Sequence, residues 1–116
     1  MHEMSLATGV AELVEAELAK AAGRRLLRLA VRVGTLAGVE IEALRGCLEI
    51  IAETANWGPA ELLIEPEPAA AVCLDCGAEF APRPADFRCT ACGSGHTELR
   101  RGQQVYVDWM EVDDGD

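Results

Sequence analysis

The sequence is short of positive charge. Ten Lys and Arg stand against twenty Asp and Glu, a net charge of -10 over 116 residues. Affinity for a phosphate backbone comes from clustered Lys and Arg, so this balance argues against a nucleic-acid binder. No apolar run reaches the roughly 18 residues of a membrane-spanning helix, and no membrane partner is expected. The opening Met1-His2-Glu3-Met4 lacks the positive stretch and apolar core of a secretory signal. A cytoplasmic location is the resulting expectation. There is no internal repeat, no Ser/His/Asp grouping suited to nucleophilic catalysis and no phosphate-cradling Gly-rich loop. An independent enzyme is therefore not expected.

Apolar residues make up 50% of the chain, which excludes a disordered acidic tail. Periodicity predicts a helix from about Ser5 to Ala22. Ser5 or Thr8 is its start signal, Leu6, Val10, Leu13, Val14 and Leu18 form its apolar stripe, and Gly23 is its cap. Residues Leu27 to Val33 alternate strictly, with Leu27, Leu29, Val31 and Val33 on one face. That pattern predicts a half-buried strand with Arg28, Ala30 and Arg32 on its outer, basic face. A second helix is expected from about Glu40 to Ala55, striped by Ile41, Leu44, Leu48 and Ile51 with Cys47 beside them. Asn56-Trp57-Gly58-Pro59 ends it, and Leu62-Leu63-Ile64 reads as a second strand. Pro66 and Pro68 mark a boundary, because neither donates a ladder hydrogen bond. Gln104 to Val112, rich in Val, Tyr and Trp, reads as a last strand returning to the first sheet. The fold class expected is α+β: a three-stranded sheet packed with two helices, plus an inserted zinc-ribbon-like lobe. Residues 1–68 and 100–116 would form the α/β body, and residues 69–99 the insertion.

That insertion holds Cys73-Leu74-Asp75-Cys76-Gly77 and Cys89-Thr90-Ala91-Cys92-Gly93, two C-x2-C-G pairs with twelve residues between them. In a reducing compartment such pairs indicate metal before disulfides. Zn(II) takes four thiolates in a tetrahedron at about 2.3 Å, and a C-x2-C turn supplies two from one tight loop. A closed four-thiolate shell leaves no open position, so its role is structural. Iron would use the same ligands. The lobe has few apolar residues, chiefly Val72, Phe80 and Phe87, and should fold only with metal. His96, four residues past Cys92, reads as an exposed loop histidine, and Cys47 as a buried structural thiol.

The N-terminus carries a second metal motif. Methionine removal requires a small second residue, and His2 is large, so the free amine stays on Met1. Amine and His2 amide nitrogen can close a five-membered chelate ring. The same amide nitrogen and the imidazole Nδ1 can close a six-membered one. Nitrogen-rich, tetragonal coordination suits Ni(II) or Cu(II), and Glu3 can add an axial oxygen. Only neutral imidazole coordinates, so affinity falls as His2 protonates.

Met1-His2-Glu3-Met4-Ser5-Leu6-Ala7 resembles the opening of the HypA/HybF family of hydrogenase nickel-incorporation proteins. The stretch Val31-Arg32-Val33-Gly34-Thr35-Leu36-Ala37-Gly38-Val39-Glu40, with Glu42-Ala43-Leu44-Arg45 after it, is similar to the same family. So are the two cysteine pairs, Ser94 after Cys92-Gly93, and the closing Val105 to Val112 strand. One departure is Thr90-Ala91 in the second pair, where Pro often follows the first Cys. The resemblance spans nearly the whole chain. It implies a metallochaperone that delivers Ni(II) to the precursor of the [NiFe]-hydrogenase large subunit. It carries nickel ligation to Met1, His2 and Glu3, with Glu40 at the start of the second helix as a further carboxylate. It carries structural Zn(II) to Cys73, Cys76, Cys89 and Cys92. The implied partners are a HypB-type GTPase and the hydrogenase precursor, and some members also serve urease maturation. A monomer or weak homodimer is expected. Two other readings compete. A zinc-ribbon module for nucleic acid or a transcription partner would need a basic, aromatic-lined face. A rubredoxin-like carrier would be coloured by iron.

Overall fold

The computed structural model describes residues 2–21 and 24–113. Met1, the expected Gly23 cap and the Asp114-Gly115-Asp116 tail lie outside the described residues. The elements run α1 (Glu3–Lys20), β1 (Leu26–Gly34), α2 (Ile41–Thr54), β2 (Glu61–Glu67), β3 (Ala70–Cys73), β4 (Glu79–Phe80), β5 (Thr97–Arg101) and β6 (Val105–Val112). Two three-stranded sheets result, β2-β1-β6 and β4-β3-β5. The α+β class expected from the element order is the one observed.

β1 is the central strand of the first sheet. It pairs parallel with β2 and antiparallel with β6. A parallel pair needs a crossover connection, and α2 supplies it. Both helices pack on one face of this sheet. The core there joins Ala7, Val10 and Val14 of α1, Leu29, Val31 and Val33 of β1, Leu44 and Leu48 of α2, and Ile64 of β2. Pro66 lies inside β2, one residue before the strand ends and the chain passes to the second sheet. β2 is an edge strand, where a residue without an N–H is tolerated.

Several expectations need correction. α1 starts at Glu3 with His2 as its N-cap, two residues before Ser5, and ends at Lys20. His2 makes no side-chain capping hydrogen bond, and Ser5 and Thr8 lie inside the helix and do not start it. Leu13 is 50% exposed. Ala7, with Leu6, Ala11 and Leu18 at the margins, completes the stripe with Val10 and Val14. The alternation of β1 fails at its start, where Leu26 is buried and Leu27 exposed. Leu26 pairs with Val112 and Arg28 with Glu111, so Leu27 is an extra residue, a β-bulge. The outer face is not simply basic either. Arg28 donates to Glu61 on one side (3.0 Å) and to Glu111 on the other (2.5 Å).

The second sheet belongs to the cysteine-rich segment. Its core is small: Ala71, Cys73, Phe80 and Cys89, edged by Ala78 and Leu99. Of the apolar residues singled out in this lobe, Phe80 is buried and Phe87 is 41% exposed. The two sheets join where the turn after β1 meets both connections. Gly34 N–H donates to Gln104 O, Thr35 N–H to Glu67 O, and Leu36 N–H to Gly102 O.

Candidate metal centre

Four cysteines converge at the end of the second sheet. Cys73 ends β3, and Cys76 follows in a tight turn closed by Gly77 N–H on Cys73 O at 2.9 Å. Cys89 and Cys92 repeat that turn, with Gly93 N–H on Cys89 O at 2.9 Å. Gly77 and Gly93 both sit at φ 80°, left-handed backbone that a side chain would strain. Backbone N–H groups point at the sulfurs. Cys76 N–H approaches Cys73 Sγ at 3.4 Å, and the Ala91 and Cys92 N–H groups approach Cys89 Sγ at 3.3 and 3.4 Å.

All four sulfurs lie within 4.8 Å of one another. Across the turns, Cys73 Sγ is 3.6 Å from Cys92 Sγ and Cys76 Sγ is 3.7 Å from Cys89 Sγ. A tetrahedron with metal–sulfur bonds of about 2.3 Å has edges of about 3.8 Å. The donor set therefore fits one four-coordinate, thiophilic ion. Cys73 and Cys89 are buried, whereas Cys76 and Cys92 are exposed.

The thiols share charge unevenly. The Cys92 and Ala91 amides outweigh burial and hold Cys89 down at about 7. The Ser94 amide favours a thiolate on Cys92, but its sulfur neighbours and burial push it up to about 12. Cys73 is lowered, chiefly by the Cys76 amide. Sulfur contacts and burial raise Cys76 despite the Ala78 amide. A divalent cation is the species that would bring all four to thiolate.

A second group of side chains spans the two turns. Asp75 accepts from Ser94 Oγ at 2.5 Å and pairs with His96 Nδ1 at 3.2 Å. His96 N–H donates to Ser94 Oγ at 3.0 Å. His96 is exposed and faces Asp75. Asp75 was missed from sequence, although its place inside the first C-x2-C turn was the available signal.

The other predicted metal residues lie where α1 and α2 begin, at the end of the α/β body that the Leu36 N–H ties to Gly102 O. His2 is exposed at the start of α1. Glu3 is half-buried, and its carboxylate accepts the Glu40 N–H at 3.2 Å. That amide holds the Glu3 carboxyl below its ordinary value. Glu40 is the N-cap of α2 with an exposed side chain. Residues 3 and 40 thus meet, and His2 adjoins them in the chain. Cys47 is half-buried against the main core.

Comparison with known proteins gives a consistent result. The family model described as "Hydrogenase/urease nickel incorporation, metallochaperone, hypA" matches residues 1–112. A hydrogenase maturation factor HypA of Synechococcus elongatus is 36% identical over 112 residues, covering 97% of this chain and 99% of that one. The HypA of Azotobacter vinelandii is 34% identical over 113 residues, covering 97% and 100%. The solution structure of the Ni metallochaperone HypA from Helicobacter pylori superposes with a TM-score of 0.70 at 24% identity, covering 97% of each chain.

Proposed function

The chain belongs to the HypA family, and from that premise we propose that it carries Ni(II) to the precursor of the [NiFe]-hydrogenase large subunit. The proposed cargo site is the Met1 amine, the His2 amide nitrogen and imidazole, and the Glu3 carboxylate, with Glu40 beside them. One observation carries this assignment on the structural side. The Glu3 carboxylate sits on the Glu40 amide, which fixes the first turn of α1 against the start of α2. A terminus anchored in this way loses less freedom on chelation than a free tail.

The four cysteines form a metal site separate from the cargo site, and Zn(II) is the ion we assign to it. Its closed thiolate shell holds the lobe together and offers no position for substrate. In this reading residues 1–68 with 100–116 handle nickel and residues 69–99 form the zinc lobe, with β5 (Thr97–Arg101) crossing the second bound by two residues. The protein works as a carrier and not as an enzyme. Nucleotide hydrolysis belongs to a HypB-type GTPase partner, and urease maturation proteins are further candidates. The maturation reaction is cytoplasmic in this reading. Among the described residues, no helix is long and apolar enough to cross a membrane. No observation favours the nucleic-acid alternative, given a net charge of -10.

Calorimetry on the untagged protein tests the cargo site. Nickel affinity should fall by at least tenfold in His2→Ala and in a form with a blocked N-terminal amine. Unchanged affinity in both would remove the assignment.

A further inference from the structure

We propose that Asp75 is a positioning residue that locks the two cysteine turns together and sets how slowly the site gives up its metal. The proposal rests on the reading that the four thiolates hold Zn(II). Loss of that ion begins when one sulfur swings away. Cys73 and Cys89 are buried in the core of the lobe, so the exposed Cys76 and Cys92 are the sulfurs a competing ligand reaches first. Asp75 immediately precedes Cys76, and Ser94 lies two residues after Cys92. The Asp75–Ser94 hydrogen bond therefore ties together the two turns that carry the exposed sulfurs.

The tie is reinforced and one-sided. His96 Nδ1 meets the second carboxylate oxygen, the His96 N–H fixes the Ser94 hydroxyl, and Leu74 N–H donates to His96 O at 2.9 Å. The two cysteine turns are alike in sequence, so each half of the tie has an equivalent position. Asp75 corresponds to Ala91, and Ser94 corresponds to Ala78. Neither alanine has a side chain able to form the reciprocal bond, so the polar tie exists once. Groups outside the ligand set that orient ligands alter metal affinity by about 10–100-fold in comparable sites. The Asp75 carboxylate is engaged by Ser94 and His96, so it acts through the backbone that carries Cys76.

The experiment follows transfer of zinc from the full-length, zinc-loaded protein to excess 4-(2-pyridylazo)resorcinol. Asp75→Ala and Ser94→Ala should each release zinc about tenfold faster, the order of effect of one hydrogen bond to a charged group. The double variant should fall well short of the product of the two single effects, because both remove the Asp75–Ser94 bond. Asp75→Asn keeps an oxygen for the Ser94 hydroxyl and should fall between Ala and wild type. Glu98→Ala, which removes a carboxylate of the same lobe that pairs with Arg100, should leave the rate unchanged. Cobalt(II)-loaded Asp75→Ala should keep the full thiolate-to-cobalt charge-transfer intensity of wild type, since four sulfurs still bind. Ser94→Ala loses only a hydroxyl and serves if Asp75→Ala does not fold. Wild-type rates in the single variants, or additive effects in the double, overturn the tie. Wild-type protein that fails to hold one zinc per chain overturns the four-thiolate reading itself.

Discussion

At the scale of single residues, Glu3 does two jobs that oppose each other. Its carboxylate is a proposed nickel ligand, yet it already accepts the Glu40 N–H that opens α2. An orphan amide at a helix start gains from an anionic acceptor, and the acceptor is held in its charged form. The sign follows from the lowered carboxyl. Its contribution is fully present above the ordinary Glu value of 4.5 and is lost as pH falls through the lower, folded-state value. Glu3→Gln keeps an oxygen but no charge. Thermal unfolding of the wild type and Glu3→Gln, both without nickel, should therefore differ at neutral pH. The difference should shrink to nothing in strong acid. A constant offset across the whole range would mean that the contact acts through shape alone. Glu3 stays charged from neutral to weakly acidic pH, so its protonation does not account for nickel lost there.

At the scale of elements, the first sheet is governed by two bulges that cancel. Leu27 is extra on β1, and Asp108 is extra on β6, where Ala30 pairs with Trp109 but Val31 pairs with Val107. The second bulge explains why the inward residues of β6 change parity, from Val105 and Val107 to Met110 and Val112. Deleting Asp108 should thus leave Val107 and Met110 facing the helices and Tyr106 and Trp109 facing out. The cost should be only the exposed ion pair with Arg32, about 0–1 kcal/mol. Deleting Val107 should instead remove a core side chain and shift the strand. Denaturant unfolding of the two deletions separates these outcomes, and equal loss in both would refute the bulge assignment. The bulges also mark what was legible in the sequence. The order of α1, β1, α2, β2 and β6, the return of the last strand and the clustering of four cysteines followed from periodicity and spacing, whereas the short strands β3, β4 and β5 carried no such pattern. Register did not follow, because alternation within one strand carries no information about where its neighbour slips. Trp57 was legible only as part of a helix stop. It is nonetheless a core residue, buried with its Nε1–H on Glu15 at 2.5 Å, and that contact joins segments 42 residues apart. Asp75 was hidden for the same reason, since its partners lie in the other cysteine turn.

At the scale of the molecule, the two sheets are stabilised by different means and should fail separately. The α/β body buries Leu, Val and Ile from two helices and three strands. The smaller lobe has four buried residues, and two of them are the ligands Cys73 and Cys89. Remove the ion, and half of that core becomes thiols with competing protonation states. Too little apolar area then remains to offset the entropy of ordering the strands. The described chain measures 56 × 26 × 17 Å, a length consistent with bodies arranged end to end. Their junction is tied by backbone hydrogen bonds from Gly34, Thr35 and Leu36, which the body itself positions. Chelating the metal should therefore melt β3, β4 and β5 while leaving α1, α2 and β1 protected. Hydrogen exchange read by mass spectrometry should show fast exchange confined to about residues 70–101. Helical circular dichroism should persist. Nickel should still bind at the N-terminus of the stripped protein, because no proposed nickel ligand lies in the melted segment. Simultaneous loss of both sheets would mean instead that the junction transmits folding as well as connecting the lobes, and nickel binding would then disappear with the zinc.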